Sequence, residues 1–175
     1  DVAGMRPAVG RTGGQADDTG TNRPPDRPTA PPHPGRLLAV DWGERRIGLA
    51  LSDETQTLAQ PLATLTRRTG KRFPMQPLLQ HLAAHHVVGI VVGLPLDESG
   101  GEGEPAHAAR ELAAAIERRS GRPVTLWDER FTTARVRQAV REMGGRTKGR
   151  AADVDALAAT VLLQHYLDGR RGSST

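Results

Sequence analysis

The sequence predicts one α/β domain, a mixed five-stranded sheet with helices on both faces, preceded by a disordered tail. Three short apolar runs follow one another between positions 37 and 65, separated by turn-like segments, as in an antiparallel meander. Helical and strand patterns then alternate between positions 74 and 127, which calls for parallel pairing through crossover helices. Two further helical patterns close the chain, enough to cover the second face of a sheet.

The tail is residues 1–35. It holds seven prolines (Pro7, Pro24, Pro25, Pro28, Pro31, Pro32, Pro34) and six glycines, and its apolar residues are few, small and without period. Such a segment cannot bury enough surface to offset its chain entropy. Its charges cancel, Asp1, Asp17, Asp18 and Asp26 against Arg6, Arg11, Arg23 and Arg27, so the net charge of +4 belongs to the domain, residues 36–175.

The first strand is Leu37-Leu38-Ala39-Val40, a continuous apolar run of the kind buried on both faces. Asp41 to Arg46 reads as a tight turn, with Gly43 letting the backbone reverse. Ile47 to Ser52 returns as the antiparallel partner, where Gly48 allows close approach. A third strand is expected within Ala59–Leu65. Helical spacing runs from Pro74 to His86 (Leu78, Leu79, Leu82, Ala83), and Val87 to Val92 is the clearest buried strand. After the Gly/Glu-rich loop 97–103 comes a helix through Ala108, Leu112, Ala113 and Ile116, then a strand, Val124 to Trp127. Of the last two helices, one carries Val136, Ala139, Val140 and Met143 and the other runs from about Asp153 to Leu167, with a basic loop, Gly144 to Arg150, between them.

Composition narrows the function. No apolar stretch approaches the roughly 18 residues of a membrane span, and none has the shape of a secretory signal, so a cytoplasmic address is the expectation. With no cysteine there is no disulfide framework, thiolate cage or cysteine nucleophile. At 3% aromatic residues, a surface that reads single strands by stacking is disfavoured. A pI near 10.5 suits an anionic partner.

Three acids stand where apolar elements end. Asp41 closes the first strand, Glu129 (beside Asp128) closes the last, and Asp155 falls in the first turn of the final helix on the face of Ala158, Ala159, Leu162 and Tyr166. A carboxylate at a core boundary is costly unless paired or bound to metal. Oxygen ligands of this kind suit Mg²⁺ or Mn²⁺, and two such ions promote phosphodiester cleavage. Taken singly, each acid has an ordinary alternative: Asp41 as a turn former, Asp155 as a complement to the helix dipole, Asp128 and Glu129 as a solvated pair.

The blocks Leu38-Ala39-Val40-Asp41-Trp42-Gly43, Arg46-Ile47-Gly48-Leu49-Ala50 with Ser52-Asp53, Val91 to Leu96, Trp127-Asp128-Glu129-Arg130-Phe131-Thr132-Thr133 and Val154-Asp155-Ala156-Leu157-Ala158-Ala159 through Leu163-Gln164 resemble the YqgF (RuvX) family. These are small bacterial proteins with an RNase H-like fold, described as Holliday-junction resolvases or as nucleases that mature the 5′ end of pre-16S rRNA. The resemblance spans the domain and none of the tail. It implies that Asp41, Glu129 and Asp155 bind two Mg²⁺ or Mn²⁺ ions and cleave a structured nucleic acid, pre-16S rRNA or a four-way DNA junction. Junction resolution, with two symmetric scissile strands, would favour a homodimer.

The chain departs from the family pattern in one place. Lys148-Gly149-Arg150 is separated from Asp155 by Ala151 to Val154, which makes Asp153 a rival ligand, although it lies about 200° from Asp155 around a helix. Asp128 likewise rivals Glu129, since strand neighbours face opposite ways. Arg45, Arg46, Arg130, Lys148, Arg150 and Thr132 are candidates for phosphate contacts, with solvated charges or a helix cap (Thr132 or Thr133) as their ordinary roles.

Other features carry less. His81 and His85 have a zinc-like spacing but no third ligand, and read as helix-surface histidines; His165 reads as exposed or as a dipole partner. Loop 97–103 lacks the Gly-Lys-Ser/Thr ending of a P-loop. Asp41-X-Gly43 also occurs in the actin/sugar-kinase phosphate loop, but the domain is too short for two such lobes. The rival from another class is a non-catalytic nucleic-acid-binding factor that assists ribosome maturation and uses the acids structurally.

Overall fold

The structure, a computed structural model, describes residues 34–43, 45–67, 70, 72–130 and 151–172, the first three residues of the last helix by backbone alone. The tail reading (for residues 1–33), the helix through Val136 to Met143, Thr132, Lys148 and Arg150 lie outside the described residues.

The elements are β1 (Arg36–Trp42), β2 (Arg46–Ser52), β3 (Ala59–Thr66), α1 (Met75–Ala84), β4 (Val87–Leu94), α2 (Glu104–Ser120), β5 (Val124–Asp128) and α3 (Ala151–Gly172). The five strands form one sheet in the order β3-β2-β1-β4-β5. β1 pairs antiparallel with β2, and β2 with β3, while β4 runs parallel to β1 and to β5. The hairpin between β1 and β2 is closed by the Gly43 N–H donating to the Arg46 carbonyl at 3.0 Å. Two prolines of α1's start, Pro74 and Pro77, and Pro105 of α2 fall where a helix needs no N–H from them.

Side chains alternate across the sheet with a period of two, so each strand contributes to two cores. On one face Leu38, Val40, Ile47, Leu49, Leu51, Ile90 and Val92 pack with Leu78 and Leu82 of α1 and Leu112, Ala113 and Ile116 of α2. On the other, Leu37, Ala39, Ala50 and Val91 pack with Ala159, Leu162, Leu163 and Leu167 of α3. Helices thus cover both faces, and α3 has one to itself among the described residues. Its C-terminal half is seated on the sheet by Trp127, whose ring meets Tyr166 edge-on and whose indole N–H donates to His165 Nδ1 at 3.2 Å. His165 is therefore part of a packed contact, not the exposed or dipole-pairing residue expected; the bulk of Trp127 draws it in.

Helix α3 also begins earlier than expected, at Ala151 rather than near Asp153, because Ala151 and Ala152 are strong helix formers. Asp155 consequently sits one turn into the helix.

Candidate functional site

Among the described residues the interior holds two polar side chains, Ser52 and Asp41. Ser52 serves the fold, for its hydroxyl accepts from the Leu37 N–H at 2.8 Å and donates to the Asp53 carbonyl at 2.8 Å. Asp41, only 4% exposed, stands at the opposite end of β1. It continues the Leu37–Ala39 alternation and so faces the α3 side of the sheet.

The strands beside Asp41 carry no side chain at its level. Across the β1–β2 pair, Asp41 is the register partner of Gly48. On the other side Val40 pairs with Val92, and one step further along β4 is Gly93. Both glycines are filled over by acids. A Cβ on Gly48 would lie 1.9 Å from the Asp155 carbonyl oxygen, and a Cβ on Gly93 would lie 2.0 Å from Glu129 Oε1. Gly48, Asp41 and Gly93 therefore form one row on the α3 face, with α3 at Asp155 over one end and the Glu129 carboxylate over the other. With strands about 4.8 Å apart, the row spans about 10 Å.

Glu129 reaches this position because β5 ends one residue before it, and its N–H donates to the Leu94 carbonyl at 3.1 Å. Its neighbour Asp128 is committed elsewhere. Asp128 accepts from the Arg130 backbone N–H at 2.9 Å and from the Arg130 guanidinium at 2.7 Å. The hydrogen bond from Arg130 holds the Asp128 carboxyl below the usual carboxylate range, and the same bond raises Arg130. A Cβ on Gly100 would lie 3.0 Å from that guanidinium, which puts it against loop 97–103. That loop is built by Asp97 Oδ1, which accepts from the Ser99 N–H, the Ser99 hydroxyl and the Gly101 N–H; it is an Asx-type turn, not a phosphate cradle.

Asp155 is four-fifths buried and meets Arg46, whose Nε stands 2.9 Å from Asp155 Oδ2. Arg45 is exposed, and its carbonyl accepts from the Arg67 N–H at 2.7 Å. Among the described residues no three His, Cys, Asp or Glu side chains already enclose a cation-sized space. His81 and His85 stack on α1, on the face of the sheet away from Asp41. Burial, reinforced by the charge of His85, lowers His81.

Sequence pattern reveals only half of this row. It singles out Gly48 for close approach but not Gly93, although a glycine ending a run of β-branched residues signals an approaching group. The Arg46–Asp155 contact joins residues 109 positions apart and leaves no local mark.

The profile of RuvX, described as Holliday junction resolvase, matches residues 35–169. The chain belongs to the RuvX family. It is 44% identical over 138 residues to a protein of Koribacter versatilis (strain Ellin345), covering 79% of this chain and 89% of the relative. It is 42% identical over 154 residues to one of Mycobacterium tuberculosis (strain ATCC 25177 / H37Ra), covering 85% and 89%. Both relatives bear the name "Putative pre-16S rRNA nuclease". Among solved structures, T. thermophilus RuvC in complex with Holliday junction substrate aligns with a TM-score of 0.49 at 17% identity, over 79% of this chain and 97% of that one. The sheet order and the helices on both faces are the RNase H-like architecture that membership of the RuvX family implies. No described helix is long and apolar enough to cross a membrane.

Proposed function

We propose that this RuvX protein is a metal-dependent endonuclease that cleaves phosphodiester bonds of a structured nucleic acid, with Asp41, Glu129 and Asp155 as its ligand set. The observation that carries this is the row itself: a buried carboxylate flanked on both neighbouring strands by glycines, with the Glu129 carboxylate over one and the Asp155 backbone over the other. A fold has no structural need for a buried carboxylate at a core boundary, and keeping one there is costly. The donors fit Mg²⁺ or Mn²⁺, since all are carboxylates and none is soft. Asp41, Glu129 and Asp155 would hold such ions, which would supply activation of the attacking water and stabilisation of the departing 3′ oxygen.

The protein's own residues supply the rest. Asp41 is held by the sheet and cannot move without distorting two strand pairings, so it serves as the fixed ligand. Glu129 follows the end of β5, with its N–H tied to the Leu94 carbonyl and its carboxylate over Gly93. Arg45, and with it Arg130, Thr132, Lys148 and Arg150, would contact backbone phosphates, which position a substrate without reading its sequence. The relatives' names favour precursor 16S rRNA, and the family description a four-way junction. The cytoplasm holds both substrates.

The test is cleavage of a precursor 16S rRNA fragment and of a mobile four-way junction with Mg²⁺ or Mn²⁺, over a salt series because phosphate-driven binding weakens steeply with salt. Asp41→Asn should lose cleavage by on the order of a hundredfold or more while still binding. Equal cleavage by the variant would leave the binding-factor alternative standing. Cleavage of the junction alone, by a species that sediments as a dimer, would select the resolvase reading.

A further inference from the structure

We propose that Arg46 is a built-in stand-in for the cation at this centre: in the metal-free protein its guanidinium holds the Asp155 carboxylate, and a divalent ion must displace it. The inference rests on the metal-centre reading above and states how that centre is kept when empty. Asp155 Oδ2 is withdrawn from water, and the Arg46 Nε lies against it at 2.9 Å. An ionised oxygen in that position needs positive charge beside it.

The placement of Arg46 makes it a removable partner. It lies two residues before Gly48 on β2, hence on the same face of the sheet, the face α3 covers. The two ends of the pair differ, however: the Arg46 side chain is 48% exposed and that of Asp155 20%. Asp155 is fixed by the helix seated on Gly48, whereas the guanidinium sits at the rim on a long flexible stem and can swing into water. A guanidinium and a divalent ion repel each other at one carboxylate oxygen, so the two states exclude each other. Once displaced, the guanidinium lies at the edge of the row, where a scissile phosphate would arrive, and is placed to bind it.

Arg46 should therefore weaken metal binding and stabilise the metal-free fold, both by the worth of a half-exposed ion pair, about two- to fivefold as a ratio of equilibrium constants. The experiment is Mn²⁺ titration of the full chain without nucleic acid, counting free ion by electron paramagnetic resonance. Wild type, Arg46→Gln, Arg46→Lys, Asp155→Asn and the double variant Arg46→Gln/Asp155→Asn are compared, with thermal unfolding in chelator alongside. Arg46→Gln is expected to bind Mn²⁺ about two- to fivefold more tightly, to unfold at a lower temperature in chelator, and to lose its affinity gain in the Asp155→Asn background. Equal or weaker Mn²⁺ binding by folded Arg46→Gln overturns the inference and leaves the metal centre intact. If Arg46→Gln does not fold, Arg46→Lys decides: it loses the Nε contact while keeping a charge, so it should bind Mn²⁺ more tightly than wild type, and equal or weaker binding overturns the inference. No binding by wild type at millimolar Mn²⁺ removes the metal centre and the stand-in together.

Discussion

Gly48 and Asp155 meet backbone to backbone: a methyl group on Gly48 would lie 1.9 Å from the Asp155 carbonyl oxygen and 2.5 Å from its carbonyl carbon. Helix α3 can sit on β2 at this depth only because position 48 has no side chain. The same seat fixes how far the Asp155 carboxylate stands from Asp41, the register partner of Gly48. One small residue thus sets how closely the helix approaches the β1–β2 pair.

Gly48→Ala should accordingly be a stability lesion. The obstacle is helix backbone, which cannot rotate aside, so α3 must lift from the sheet and loosen Ala159, Leu162 and Leu163 from their packing. Overpacking of this kind costs about 1–3 kcal/mol and more where nothing can yield. Urea unfolding would show the midpoint falling; a midpoint equal to wild type would mean that the helix is not seated as described.

Gly93→Ala should do the reverse. Here the added methyl meets Glu129 Oε1 at 2.0 Å, the far end of a flexible side chain hanging from a strand end. What must shift is a side-chain end rather than backbone, and shifting it takes the carboxylate out of the row. Thermal unfolding should stay close to wild type while metal-dependent cleavage falls at least tenfold, roughly the loss expected when a positioned charge is moved by about 1–2 Å. A variant equally stable and fully active would exclude Glu129 from the site.

These two glycines also show which parts of the site are legible from sequence. Apolar runs and their spacing reveal all five strands, because burial imposes period and length locally. The acids are visible as interruptions of that pattern, and helical spacing assigns Asp155 to the right face of its helix. What pattern cannot show is convergence. That Glu129 rather than Asp128 lies over Gly93 depends on where β5 stops and on Arg130 claiming Asp128, both consequences of tertiary pairing. The start of α3 differs from expectation by two residues because Asp153, which reads as a capping residue, lies inside the helix, and Ala151 and Ala152 before it are strong helix formers.

The Asp128–Arg130 contact predicts an acid-sensitive step in stability. The hydrogen bond from Arg130 lowers the Asp128 carboxyl below its ordinary value of 3.8. Native Asp128 therefore remains ionised where the unfolded chain already takes up a proton. Its contribution is fully present above pH 3.8 and is lost as pH falls through the lowered native value. Asp128→Asn should flatten the acid limb of the stability–pH curve below about pH 4 and lower stability at about pH 7 by the same small amount, up to about 1 kcal/mol for a partly buried pair. Unchanged acid dependence in the variant would mean that other carboxylates, such as Asp53 with its Thr55, Thr57 and Leu58 donors, carry the limb.

Removing metal should abolish cleavage without unfolding the protein. The two cores lie on either side of the sheet and are built from apolar side chains, and the described residues around Asp41 are held by strand pairing. A structural metal would be needed only if its loss left the acids unbalanced enough to push the strands apart. Arg46 at Asp155 already offsets part of that charge. In excess chelator, near-ultraviolet circular dichroism from Trp42 and Trp127, which flank the row on β1 and β5, should retain its native signature while nuclease activity is lost, and activity should return on adding Mn²⁺ or Mg²⁺. Loss of the tryptophan signal together with activity would make the ion part of the fold.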